Sequence, residues 1–186
     1  MIYLSLIFSG LFLGNILLNS LLGLPLFDSK TNSLKGPAQT GVFSLIISLL
    51  SAVVLYPVYH YVLKPIGIDF LYMIISVVVV SYVSLGVRFI AKQGGIEGVS
   101  DKHALLIPAN AFIIGLSILV LNNTSYIEAL VQVLGLALGY FLVLLMIYAI
   151  KPRLDLGTPK SFKGLPILLI TLALIAMAFM GLAGIL

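Results

Sequence analysis

The chain has 186 residues, of which 61% are hydrophobic and 9% charged. Soluble domains carry about 25% charged residues, so this composition excludes a soluble globular domain and indicates an integral membrane protein. The net charge of +4 comes with no cysteine at all, which excludes disulfides, thiolate zinc sites and any iron–sulfur centre held by this chain's own thiolates.

Apolar runs cover residues 2–24, 41–63, 70–91, 104–121, 127–150 and 165–186. Each is long enough to cross a hydrocarbon core of ~30 Å at about 1.5 Å per residue. The expected fold is therefore all-α and integral to the membrane, with six transmembrane helices in one membrane domain. The first run has no basic residues before it and is too long for a signal-peptide core, so it reads as a retained helix. It contains Asn15 and Asn19 and ends at Gly23-Leu24-Pro25. Amides in hydrocarbon are costly unless they face protein or a cavity. Two readings stand: interhelical hydrogen bonding, or the lining of an ion or cofactor path. Pro25, near a helix end, is an ordinary stop. Gly10 and Gly14 form a small-xxx-small pattern that allows close backbone approach.

The second and third runs carry Tyr56, Tyr59, Tyr61, His60 and Tyr72 near one end. These read as interfacial anchors. Arg88 lies about one turn from the other end, within snorkelling reach of water. The fourth run is the shortest and holds Pro108, Asn110 and Ala111. Pro108 removes an amide donor and frees the carbonyl four residues back, which interrupts the helix. Gly135 and Gly139 repeat the small-xxx-small pattern in the fifth run. Asp69 and Glu128 begin spans three and five, where a helix N-terminus favours negative charge. No span has a carboxylate in its middle, which weighs against a self-contained proton pump or cation symporter. No phosphate loop, dinucleotide fingerprint, zinc-protease motif or nucleophile elbow is present. The serines are scattered.

The loops set orientation. Nine of the ten basic residues (Lys30, Lys35, Arg88, Lys92, Lys102, Lys151, Arg153, Lys160 and Lys163) fall on one side of a six-span arrangement, and Lys64 alone on the other. The positive-inside rule then places both termini outside the cytoplasm of a prokaryotic cell membrane. Gly36 and Pro37 are expected to shape the first loop, Gly94, Gly95 and Gly98 the third, and Pro152, Pro159 and Gly164 the fifth. The third loop divides the chain into residues 1–98 and 99–186. Three spans per half forces the second half to insert the other way up, the condition for an inverted repeat. Paired interruptions in helices one and four then suggest a site at the membrane midplane, formed by Asn15, Asn19, Pro25, Pro108, Asn110 and Ala111.

At these residues the sequence resembles the six-span membrane subunits of the Rnf and Nqr complexes. The family's first helix ends in a Leu-Gly-Leu-Cys-Pro-Phe-like motif; this chain has Leu22-Gly23-Leu24-Pro25-Leu26-Phe27. The family's fourth helix has a Leu-Pro-Leu-Ile-Thr-Thr-Asn-Cys-Ala-like stretch; this chain has Leu106-Ile107-Pro108-Ala109-Asn110-Ala111, then Ile114-Gly115. The last span contains Leu168-Leu169-Ile170-Thr171 and Ala178-Phe179-Met180-Gly181, the most specific match. The outward N-terminus is similar to the RnfA/NqrE members. The resemblance implies a non-catalytic membrane subunit of an ion-translocating oxidoreductase, in which electron transfer drives Na+ or H+ transport. It implies as partners other Rnf/Nqr-like subunits and an inverted sister subunit, with the lipid bilayer around them and no nucleic acid. In the family, the sister subunits hold a [2Fe–2S] cluster through cysteines whose positions fall here at Pro25 and Ala111. This chain therefore binds no cluster through cysteine, and any [2Fe–2S] centre or flavin belongs to partner subunits. The other readings are a cofactor-free inverted-repeat transporter or channel, and a structural anchor for a peripheral enzyme.

Overall fold

The computed structural model describes residues 2–21, 35–94, 111–120 and 125–184. Among the described residues there are helices and no strands. Four helical segments among the described residues are long and apolar enough to cross a membrane: Tyr3–Ser20, Ala38–Ile66, Asp69–Gln93 and Tyr126–Leu154.

The first segment is composite. Helix α1 (Ile2–Phe8) continues into a π-helical turn, Ser9–Leu13, and a short α2 (Ile16–Ser20) follows after a break at Gly14–Asn15. Leu21 ends α2 in the left-handed region, at φ 54°, which is uncommon for a bulky side chain.

Helix α3 (Lys35–Pro57) begins before the apolar run. Gly36 and Pro37, expected in the loop, form its first turn, where a proline's missing N–H would have had no helical partner anyway. Pro57 closes α3, and a second π turn, Val58–Leu63, carries the chain into α4 (Lys64–Ile66). The reason for one long-range bond lies at Pro57. With no N–H, it leaves the Val53 carbonyl four residues back without its helical donor. The Tyr126 hydroxyl donates to that carbonyl instead, at 3.4 Å.

Gly67, at φ 75°, turns the chain into α5 (Tyr72–Gln93). Helix α6 (Ala111–Val120) and the 32-residue α7 (Tyr126–Gly157) follow, then α8 (Leu165–Met180). Helix α7 runs past the end of its apolar run. Lys151, Pro152 and Arg153, expected in a loop, lie on it. Hydropathy falls at Lys151, but helical geometry does not need an apolar environment. A carbonyl freed by Pro152 at a watery helix end can be solvated, and Lys151 lies over the Tyr148 ring at 5.4 Å. Thr158 then terminates the helix, its N–H donating to the Leu154 carbonyl at 3.0 Å.

Helix α7 is the centre of the bundle. Ala129, Val133, Leu136, Tyr140, Val143, Leu144 and Ile147 are buried along it. It packs against α3 on one side and against α1 with its π turn on the other. Helix α5 lies on α3, and α6 touches α3, α5 and α7. The buried faces of α3 and α5 are rich in serine: Ser44, Ser48 and Ser51 on α3, Ser76 and Ser84 on α5. The hydroxyls of Ser48 and Ser76 donate back to carbonyls one turn earlier, those of Leu45 and Met73. Small side chains of this kind let helices approach where lipid offers no hydrophobic drive.

Candidate functional site

Helix α1 and helix α7 meet backbone to backbone. A Cβ added to Gly10 would lie 2.8 Å from the Leu136 nitrogen. One added to Gly135 would lie 2.8 Å from the Ile7 carbonyl oxygen, and one on Gly139 would lie 2.7 Å from that of Leu11. Real Cβ atoms do not tolerate such distances against backbone. The two glycine patterns thus pack on each other within the chain. Gly14 differs: its nearest neighbours are at ordinary contact distance, and it serves the break.

Asn15 sits at the end of this glycine seam and is fully buried. Its side-chain oxygen accepts from the Leu17 N–H at 3.1 Å, the N-cap arrangement that starts α2. Its Nδ2 donates to the Leu11 carbonyl at 3.4 Å. That same Nδ2 is 3.0 Å from where a Gly139 Cβ would stand, so the absence of a side chain at Gly139 is what admits the amide. Both ends of the break are held by one residue. Asn19 is arranged differently. It is exposed, and its Nδ2 donates to the Leu13 carbonyl at 2.7 Å. The structure thus joins Asn15 to Gly10, Gly135 and Gly139, and leaves Asn19 on the outside of the same break. Pro25, Pro108 and Asn110 lie outside the described residues. Ala111 is the first residue of α6.

An aromatic group forms at the far end of α3. Tyr56 lies 4.2 Å from His60 and 5.3 Å from Tyr126, ring centre to ring centre; Tyr59 lies 5.1 Å from His60 and 5.2 Å from Tyr72. The Tyr72 hydroxyl donates to the Ser117 carbonyl at 2.7 Å, tying α5 to α6. The apolar body and polar tip of tyrosine suit such a place. No sequence pattern marks the Tyr72–Ser117 or Tyr126–Val53 pairs. The only readable trace was Pro57, which announces a carbonyl in need of a donor.

A family model described as "Rnf-Nqr subunit, membrane protein" matches residues 3–186. The chain belongs to the Rnf-Nqr family of membrane subunits. Similar relatives cover it almost end to end. A Clostridium ljungdahlii protein, named as one subunit of a "Proton-translocating ferredoxin:NAD(+) oxidoreductase complex", is 27% identical over 186 residues, 98% of this chain and 96% of the relative. A Vibrio cholerae subunit of an "Ion-translocating oxidoreductase complex" is 29% identical over 188 residues, with the same coverage. An Acetobacterium woodii subunit of a "Na(+)-translocating ferredoxin:NAD(+) oxidoreductase complex" is 26% identical over 180 residues, 95% of this chain and 94% of the relative.

This Rnf-Nqr subunit does not fit a thiolate-held cluster. It has no cysteine, and an alanine such as Ala111 has no ligating side-chain atom. Among the described residues no group of three or more His, Asp or Glu side chains could hold a metal ion.

Proposed function

We propose that the chain is a membrane subunit of an Rnf-type ion-translocating oxidoreductase complex, in which electron transfer between ferredoxin and NAD+ is coupled to Na+ or H+ movement. The observation that supports this most is coverage: similarity to the corresponding subunits of three such complexes runs through 95–98% of this chain and 94–96% of each relative. In this reading the subunit is non-catalytic and supplies no cluster ligand. Any [2Fe–2S] centre or flavin sits in its partners.

The finer proposal is a six-span protein of the prokaryotic cell membrane, made of two inverted three-helix halves divided near residue 98, with both termini outside the cytoplasm. It packs against an inverted sister subunit through its first and fourth helices. The broken first helix favours this arrangement, since interrupted helices in such folds gather at the midplane between repeats. Asn15, Asn19, Pro25, Pro108, Asn110 and Ala111 would frame that place, with Asn15 holding the break in shape and Asn19 turned outward towards a neighbour.

The test is a gentle native purification through a tag on this chain, recording co-purifying subunits, iron content and flavin absorbance. Flavin- or iron-bearing partners are expected. A cofactor-free homo-oligomer would overturn the proposal in favour of a small inverted-repeat transporter or channel.

A further inference from the structure

Helix α5 has two unlike faces. One carries Tyr72, Ser76, Val80, Ser84 and Ala91, all buried, and lies on α3. The other stands clear of the bundle. Ile74, Val78, Leu85 and Phe89 on that side are exposed, and lipid satisfies them. Tyr82 is a different matter. It is 73% exposed and lies close to the middle of the membrane-crossing segment Asp69–Gln93.

Interfacial tyrosines reach headgroups and water. From mid-span the nearest edge of a hydrocarbon core is about 15 Å away, well beyond a tyrosine's reach. Its hydroxyl therefore sits at a depth where lipid offers no hydrogen-bond partner, and such a group is costly unless protein supplies one. The neighbouring Ser81 solves this problem within its own helix, donating to the Val77 carbonyl at 2.7 Å. A tyrosine is too long to do so. One turn beyond Tyr82 on the same face stands Gly86. A Cβ there would meet nothing within 4 Å, so ring and glycine form a knob beside an open notch.

We infer that Tyr82 and Gly86 are the docking point for a transmembrane helix of a different subunit, one that brings a hydroxyl, amide or free carbonyl to mid-membrane depth. This rests on the reading of the chain as part of a multi-subunit complex. A second copy fits less well. Near the middle of α3 and α8 its outward residues are apolar: Leu50, Val53 and Val54 on α3, and Leu169, Ile170, Leu174 and Met177 on α8. Helix α6 touches α5, so the identity of the cross-linked subunit decides whether this partner is the inverted sister or a further subunit.

The experiment uses the intact complex, purified from native membranes through a tag on this chain. Photo-cross-linking from p-benzoylphenylalanine in place of Tyr82 should give an adduct with one co-purifying membrane subunit. Tyr82→Phe, which keeps the ring and removes the hydroxyl, should lower recovery of that subunit several-fold at unchanged levels of this chain. A lipid-soluble carbene reagent generated by light, which inserts without any ionised group, should label residues 82–86 about tenfold less than the exposed face of α8 around Leu174. An adduct of twice this chain's mass would overturn the inference in favour of a second copy. Lipid adducts alone, with the other subunits still co-purifying, would overturn it and leave complex membership standing. Failure of any other subunit to co-purify would overturn both.

Discussion

Asn15 uses both atoms of its amide to hold a broken helix: the oxygen starts α2 at Leu17, and the nitrogen reaches back to Leu11. Leucine at this position would keep the volume and lose both bonds, stranding a buried N–H. Loss of an N-cap costs about 1 kcal/mol, so Asn15→Leu should lower the unfolding temperature in detergent, and Asn15→Ser, which still caps, should recover most of it. Thermal unfolding followed by circular dichroism measures this. If Asn15→Leu is as stable as the wild type, the cap contributes nothing. Gly139 makes a sharper case. Any side chain there meets the Leu11 and Gly10 carbonyl oxygens and the Asn15 amide together, none of which can move aside independently. Gly139→Ala should destabilise by about 1–3 kcal/mol. Gly157→Ala, at a helical site with nothing within 4 Å, should be neutral or slightly stabilising. The same thermal melts compare the two.

At the scale of elements, Pro57 and Tyr126 form a testable pair. The proline withholds a donor from the Val53 carbonyl, and the tyrosine supplies one from α7. Tyr126→Phe should therefore cost roughly 0.6–2 kcal/mol, the range of such bonds in membranes. Combined with Pro57→Ala, which restores the helical N–H, the same change should cost close to nothing. A double-mutant cycle of detergent melts gives the coupling directly; additive effects would mean the two residues act separately. The pair also shows what a sequence conveys. Long apolar stretches made the helices through Ala38–Ile66, Asp69–Gln93 and Tyr126–Leu154 easy to foresee, because hydrophobic length is the dominant demand of a bilayer. Their ends were not. Lys151 and Arg153 suggested a loop, yet the backbone stays helical there, since water tolerates a helix as well as hydrocarbon does. An interruption of the first helix was legible, but its place at Gly14–Asn15 was not, for a related reason: an amide cap and a π turn barely alter hydropathy. The glycine patterns announced close approach without saying what would approach, because a motif on one helix carries no address.

For the whole molecule, the basic residues make a claim about sidedness. With both termini outside the cytoplasm, a cysteine at Lys160 should react with an impermeant maleimide only from the cytoplasmic face. One at Ile66, which is 64% exposed at the end of α4, should react only from the opposite face. The cysteine-free chain provides a clean background for both. Labelling of the two sites from one side would refute the proposed orientation. Tertiary cohesion is spread unevenly across the molecule. Phe12 in the first π turn meets Phe179 of α8 edge to face at 5.1 Å, and Tyr72 and Tyr126 tie their helices to distant carbonyls. These contacts join ends of the chain that no local pattern connects.

Helix α7 has one more consequence. Its membrane-crossing part, Tyr126–Leu154, has 29 residues, or about 43 Å of helix, against a hydrocarbon core of ~30 Å. The neighbouring α8 has 16 residues and runs on into a 3-10 turn, Gly181–Gly184; at about 1.5 Å and 2 Å per residue the two together span about 32 Å. One helix is too long for the bilayer and the other matches it, and they are packed together. A long span adapts by tilting or by thickening the lipid around it, and α7 cannot tilt alone while the glycine seam fixes it against α1. The bilayer then acts as a gauge for the bundle. In vesicles of defined lipids the unfolding temperature should rise with acyl-chain length until the bilayer matches α7 and fall beyond it, whereas a flat profile would show that α7 absorbs its mismatch without straining the bundle.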